Sequence, residues 1–373
     1  MRWTQKLRRN WLGVVCVFTL AGISLINLQS ADYYSGDSFN RAQAVWMVLG
    51  SVAAILVALV DIRTIERLAH LGYAVLVVLL IATAMFGREI SGSTRWLAVG
   101  GMVIQPSEFM KVGLILALAR HVFRTKGGEA YTLRNLLGPF AFIGLPFSLV
   151  VTQPDLGTSI ILLLVSGSML FFEGVRLRTV VMLIGMVGLV VPIAWKFDLI
   201  ERYQKDRVVL WIMGDELDPS NAEEKRILDK NLQTEQALWA IGSGRITGKG
   251  LEGGGRSRLK YLPEIHNDFI LAIYAEEHGF LGCAFLLGLF HALIAWGIRV
   301  ARGAPDKFST LIAAGISFMF FWQLVVNVGM VTGLLPVVGS QLPFLSYGGS
   351  SLLTTFIGVG LLFNVALSRV KVV

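Results

Sequence analysis

The sequence predicts an all-α integral membrane protein of about ten transmembrane helices, with one large extracytoplasmic loop and both termini cytoplasmic. Three observations carry this. Of 373 residues, 54% are hydrophobic and 16% charged, with 40 glycines and a mean hydropathy of +0.65, which excludes a soluble globular chain. Apolar runs of crossing length occur at 11–29, 43–60, 69–86, 107–123, 136–152, 157–173, 178–196, 268–298, 308–332 and 347–367. Seventeen Lys and Arg residues fall in the tails and alternate loops of one side, against three in the short loops of the other. The positive-inside rule then places both termini in the cytoplasm, with segment 198–266 exempt because of its length. The net charge of +8 follows from this bias, and no nucleic-acid surface is read from it. The chain is a single polytopic membrane domain, 1–373, with 198–266 as a long extracytoplasmic loop between spans seven and eight.

An Arg-rich tail before the first apolar run resembles a secretory leader, but no small-residue cleavage site follows, so the run is expected to stay as the first helix. Spans one to three carry almost no intramembrane charge and read as scaffold. Cys16 and Cys283 each sit in an apolar run, as buried thiols do. Between spans three and four, residues 91–111 are rich in glycine and small polar residues and suit a re-entrant or surface loop. Pro106, Ser107 and Glu108 then start a helix. Glu108 and Lys111, three apart, share a helix face. They can neutralise each other in the bilayer, or line a polar cavity where the ammonium meets an anionic group.

Asp155, in Gln-Pro-Asp-Leu-Gly-Thr-Ser, falls at the N-terminus of span six. The outward ends of spans four, six and eight thus present Glu108, Asp155 and Asp268, which suggests a shared polar site. The loop 198–266 lacks a periodicity large enough for its own core and is expected to be a partly helical cover over the bundle. Its glycines at 242, 244, 248 and 250, with Lys249, read either as a phosphate cradle or as a flexible hinge. Span eight is too long for a plain crossing and should tilt or project above the bilayer. Residues 333–351 carry Pro336, Pro343 and paired glycines, so the backbone there is non-helical. The hydroxyls of Ser346, Tyr347, Ser350 and Ser351 are positioned to satisfy it.

The stretch 259–282 organises the whole. Pro263 rigidifies its approach, Asn267 suits the N-cap, and Asp268 falls in the first turn of span eight, at the end where a helix dipole favours anions. Asp268, Ala272, Ala275, Gly279 and Gly282 share one face, a small-residue stripe that turns the acid towards protein. Glu276 and Glu277, two turns deeper, need pairing or a wet cavity.

Four blocks now carry a resemblance: Thr-Arg-Trp with Gln-Pro-Ser-Glu-Phe-Met-Lys; Gln-Pro-Asp-Leu-Gly-Thr-Ser; Ala-Ile-Gly-Ser-Gly through Leu-Pro-Glu-Ile-His-Asn-Asp-Phe; and Leu-Pro-Phe-Leu-Ser-Tyr-Gly-Gly-Ser-Ser. With ten spans they resemble the SEDS (shape, elongation, division and sporulation) family of bacterial membrane peptidoglycan polymerases over nearly the whole length. Pro336-Val337-Val338-Gly339 is more similar to the rod-shape (RodA) branch than to the division (FtsW) branch. The resemblance implies an inverting glycosyltransferase in the bacterial cytoplasmic membrane. It would polymerise lipid II into β-1,4 glycan on the outer face and release undecaprenyl pyrophosphate. Asp268 matches the family's essential acid and would act on the attacking 4-hydroxyl. Glu108 and Lys111 match its polar pair and Asp155 its acid at span six. Arg207, Lys249, His266 and Ser346 complete the candidate polar set for substrate or structure.

The implied partners are a class B penicillin-binding protein, elongation-complex membrane proteins, undecaprenyl-linked glycan and membrane lipids. A divalent cation, Mg or Mn, is expected to assist pyrophosphate departure, with no organic cofactor and no visible ligand cluster. The chain departs from the family pattern at Arg245, Arg256 and Asn267 and in the charged insert around 220–230. The rival readings are a lipid II flippase, whose charges should spread through the bilayer depth, and a scaffold, whose carboxylates would be dispensable.

Overall fold

In the computed structural model, the residues described are 10–35, 38–90, 93–99, 102–125, 135–197, 201–214, 217–218, 220–221, 228, 232–251, 253 and 266–368. The basic N-terminal tail, Arg256 and Pro263 lie outside them. The ten apolar runs become ten helices. In chain order these are α1 Trp11–Ser35, α2 Phe39–Leu59, α3 Ile62–Phe86, α4 Pro106–Thr125, α5 Leu137–Val151, α6 Leu156–Gly174 and α7 Leu177–Lys196. After two shorter helices, α8 Arg202–Met213 and α9 Leu232–Ser243, come α10 Ile270–Arg302, α11 Lys307–Val331 and α12 Gly349–Ser368. Seven of them are long and apolar enough to cross a membrane on length and composition alone. The protein is a multi-pass, mostly helical membrane protein.

The close packing rests on small residues, as in other membrane bundles where backbones approach directly. A Cβ on Gly360 of α12 would lie 2.6 Å from the Ala54 carbonyl oxygen of α2. One on Gly50 would meet the Phe356 ring at 2.7 Å. The helix α11 is the buried centre, with Phe308, Ile312, Ile316, Met319, Phe320, Asn327 and Met330 all inside. Around it sit α4, α6, α10 and α12. The first two helices leave much apolar surface outward, including Phe18, Val48, Ile55 and Leu56, as lipid-facing scaffold should.

Three features differ from expectation. Residues 88–104 form an antiparallel meander, β1 Arg88–Ile90, β2 Ser93–Val99 and β3 Met102–Ile104, so the segment read as a loop carries its own ladder. The turn before α10 is longer than the sequence suggested. Phe269 occupies the N-cap position without a side-chain cap bond, so Asn267 is no cap and Asp268 lies just ahead of the first helical turn.

The third concerns the length of α10. Gly279 has φ 63° and ψ −163°, which breaks the 33-residue helix into two, and the small-residue stripe does not run on as one face. The break is filled from outside. Phe280 and Leu281 donate their N–H groups to the carbonyls of Arg245 and Ile246 at 2.9 and 3.0 Å. Lys249 and Gly250 donate theirs to Glu276 and Glu277, both at 3.0 Å. Four backbone groups that the broken helix would leave orphaned thus find partners in this loop. The glycines at 244 and 248 are explained by this wedge, since a Cβ at either would come within 2.1 Å of an α10 carbonyl oxygen.

Candidate active site

Where α4, α6 and α11 approach the turn that precedes α10, they enclose, with β2, Arg207 of α8 and the segment 338–341, a cavity of about 360 Å³. Each wall is fixed by local sequence. The backbone enters α4 through Pro106, which lacks the N–H that a first helical turn cannot pair, and this brings Glu108 and Lys111 onto the cavity wall. Lys111 Nζ donates to Glu108 Oε2 at 2.7 Å, and both side chains are almost wholly buried. The two readings of this pair are compatible: it is a mutual ion pair and it lines the cavity.

Asp155 caps α6 by accepting the Thr158 N–H at 3.2 Å. Its other oxygen accepts from Gln105 Nε2 and Ser107 Oγ, both at 2.9 Å. Arg95, reaching in from β2, lies 3.7 Å from the same carboxylate and also donates to the Pro154 carbonyl. The acid is 1% exposed. Through these bonds Asp155 fastens the meander, α4 and α6 together.

Asp268 lines the same cavity, together with His266 and Asn267, Arg207 from α8, Gln323 from α11, and Val338 to Gln341 from the loop after it. Its Oδ2 would be 3.3 Å from a Cβ on Gly339, so the carboxylate rests on the one residue there without a side chain. The His266 ring stacks on Phe39, with centroids 4.1 Å apart. The cavity therefore gathers Glu108, Lys111, Asp155, Arg207, His266 and Asp268.

Two candidates stand elsewhere. Lys249 pairs with Glu276, which also accepts from Ser243 Oγ at 3.2 Å, so the deeper carboxylate finds its counter-ion in the wedge loop. Ser346 sits under the cavity and donates to the Asn267 carbonyl at 2.6 Å. Ser346 Oγ also accepts the Leu342 N–H at 2.8 Å, a hydroxyl satisfying the non-helical backbone as anticipated, whereas Ser350 Oγ accepts the N–H of the distant Gln105 at 3.0 Å. Sequence reasoning passed over Arg95, Gln105, Gln323 and Gln341 as site residues. Gln323 did carry a signal, a polar amide in an apolar span.

Three carboxylates share one cavity with Arg95, Lys111, Arg207 and His266, in a bundle of membrane-length helices, an arrangement that suits an integral membrane enzyme. The chain belongs to the FtsW/RodA/SpoVE family of cell cycle proteins, whose model matches residues 4–371. It is 37% identical over 323 residues to the peptidoglycan glycosyltransferase MrdB of Escherichia coli strain K12, covering 87% of this chain and 84% of that protein. It is 36% identical over 378 residues to stage V sporulation protein E of Bacillus subtilis strain 168, covering 97% and 98%. Among solved structures, it matches a chain of a peptidoglycan synthase complex that coordinates polymerization and crosslinking, at 28% identity with a TM-score of 0.80, covering 97% of this chain and 98% of that one. The rod shape determining protein RodA of Thermus thermophilus matches over the same shares, at 28% identity with a TM-score of 0.71.

Proposed function

We propose that this protein is a peptidoglycan glycosyltransferase of the bacterial cytoplasmic membrane, polymerising lipid II into β-1,4 glycan on the outer face during cell elongation. The single observation that carries the reading is the meeting of Asp268 with basic side chains in one cavity at the ends of the spans. Glycosyl transfer from a lipid pyrophosphate needs both. The acceptor 4-hydroxyl attacks the anomeric carbon of the donor, its proton passes to the Asp268 carboxylate, and the bond from that carbon to the pyrophosphate oxygen breaks. Undecaprenyl pyrophosphate leaves with the electron pair. A base held within hydrogen-bond reach of the hydroxyl contributes about 10²–10⁴-fold, and fixed positive charge at the leaving group lowers the barrier further.

Lys111, Arg207 and Arg95 are the basic groups placed to face the pyrophosphate. Among the described residues, no three His, Cys, Asp or Glu side chains gather as a metal cage, and Glu108 and Asp155 are already engaged. A divalent ion that accompanies a phosphate takes only one or two protein carboxylates and keeps waters and phosphate oxygens as its other ligands. Mg or Mn is proposed as a counter-ion arriving with the substrate pyrophosphate. The proposed partners are a class B penicillin-binding protein and other elongation-complex membrane proteins. The elongation role rests on Pro336 to Gly339 and on the likeness to MrdB.

The flippase reading has less support. Beyond Lys111, α4 continues Val-Gly-Leu-Ile-Leu-Ala-Leu-Ala without a charge, so the polar lining has no continuation along that wall. The test is conversion of fluorescent lipid II by the purified protein in detergent, where no bilayer separates two sides, with a partner whose transpeptidase serine is inactivated. Glycan ladders support a polymerase. Intact lipid II, from protein that translocates it in vesicles, overturns the reading.

A further inference from the structure

We infer that Asn327 and Ser346 are positioning residues for the reaction, holding the backbone of the Asp268 turn by its carbonyl oxygens. The inference rests on the assignment of Asp268 under Proposed function. Residues 266–268 form a turn ahead of α10, and the partners its backbone carbonyls meet help to fix where it sits. Here three consecutive carbonyls are each taken by a different donor. The Tyr347 N–H donates to the His266 carbonyl at 2.9 Å. Ser346 Oγ donates to the Asn267 carbonyl at 2.6 Å, while itself accepting the Leu342 N–H at 2.8 Å. Asn327 Nδ2 donates to the Asp268 carbonyl at 3.0 Å and to the Ser340 carbonyl at 2.6 Å.

The second bond of each side chain matters most. Asn327, wholly buried on α11, ties the Asp268 turn to the loop that carries Gly339, against which the carboxylate rests. Ser346 closes the same loop on itself and on the turn. That loop is held from behind as well. Ser24 Oγ donates to the Phe344 carbonyl at 2.7 Å, and Gln43 Nε2 to the Phe344 and Ser346 carbonyls at 3.3 and 3.2 Å. One more amide, Asn27 Nδ2, reaches the Ile270 carbonyl at 3.2 Å. The reacting carboxylate is thus located by side chains from α1, α2 and α11, none of which needs to touch substrate.

The test is steady-state glycan synthesis by the full-length protein with its partner, for wild type, Asn327→Ala, Ser346→Ala, Ser346→Thr and Asp268→Asn. Thermal unfolding of each is measured in parallel. A displaced base lowers kcat without weakening substrate binding, by about 100-fold for an ångström-scale misplacement, so both alanine variants should lose kcat with KM held within about twofold. Ser346→Thr, which keeps the hydroxyl, should recover most of the rate. Wild-type kcat in folded alanine variants overturns the inference, and so does a loss that only follows the folded fraction in both. Ser346→Ala and Asn327→Ala each remove two bonds, made from different elements, so either carries the test if the other fails to fold. Activity in Asp268→Asn would remove the assignment of the base itself, whereas an inactive Asp268→Asn beside fully active alanine variants removes the clamp alone.

Discussion

Gly157 and Gly339 meet backbone to backbone: a Cβ on Gly157 would lie 2.4 Å from the Gly339 carbonyl oxygen and 3.0 Å from that of Val338. Gly339 has φ +76°, a conformation that L side chains rarely adopt. Through this contact the first turn of α6, capped by Asp155, sets the height of the loop on which Asp268 rests. Gly157→Ala should push the loop towards the cavity and destabilise the fold by about 1–3 kcal/mol, as overpacking does. Glycan synthesis should fall by more than the lost folded fraction explains. Activity per folded molecule, compared between wild type and variant, checks this.

The Glu108 and Lys111 pair should show the asymmetry of buried ion pairs. Lys111→Met leaves an unpaired carboxylate and should destabilise by about 3–5 kcal/mol, while Glu108→Gln with Lys111→Met together should recover much of that. Thermal unfolding in detergent reads the difference. Activity should stay low in the double variant, since the ammonium proposed to face the pyrophosphate is gone.

For Asp155 the account predicts a structural loss. Asp155→Asn keeps an oxygen for the Thr158 N–H and should destabilise by about 1 kcal/mol, whereas Asp155→Ala also loses the cap and should reach about 2 kcal/mol. If Asp155 were the base instead, the Asn variant would be stable and inactive, which the same preparation measured for both properties would reveal.

The wedge in α10 gives a separate prediction. A Cβ on Gly248 would lie 2.0 Å from the Glu277 carbonyl oxygen, and one on Gly279 would lie 2.3 Å from the Gly248 nitrogen. Gly248→Ala and Gly279→Ala should release the long loop from the helix break. Limited proteolysis between 198 and 266 should then speed up in both variants.

Much of the fold is written in local patterns. The ten apolar helices, seven of them long and apolar enough to cross, follow from run length, the start of α4 from Pro106, and the Glu108 and Lys111 pair from three-residue spacing. The convergence of Glu108, Asp155 and Asp268 was also legible, because all three fall at outward helix ends. What escaped depends on distant partners. Gly279 reads as one more small residue in a packing stripe, and only the loop at 244–250, some thirty residues earlier, allows the break. The meander at 88–104 has strands of three to seven residues, too short for alternation to stand out between glycines. Asn327 sits in an apolar span, and nothing local says that its amide faces the carbonyl of residue 268.

The central claim is that the Asp268 carboxylate takes the proton in glycan polymerisation. Its most direct test is single-turnover glycan synthesis from lipid II by wild type and Asp268→Asn, each folded and bound to a partner with an inactive transpeptidase. The account predicts that Asp268→Asn binds lipid II as wild type does and forms bonds at least about 10²-fold more slowly. Equal single-turnover rates would contradict it and move the base to another residue.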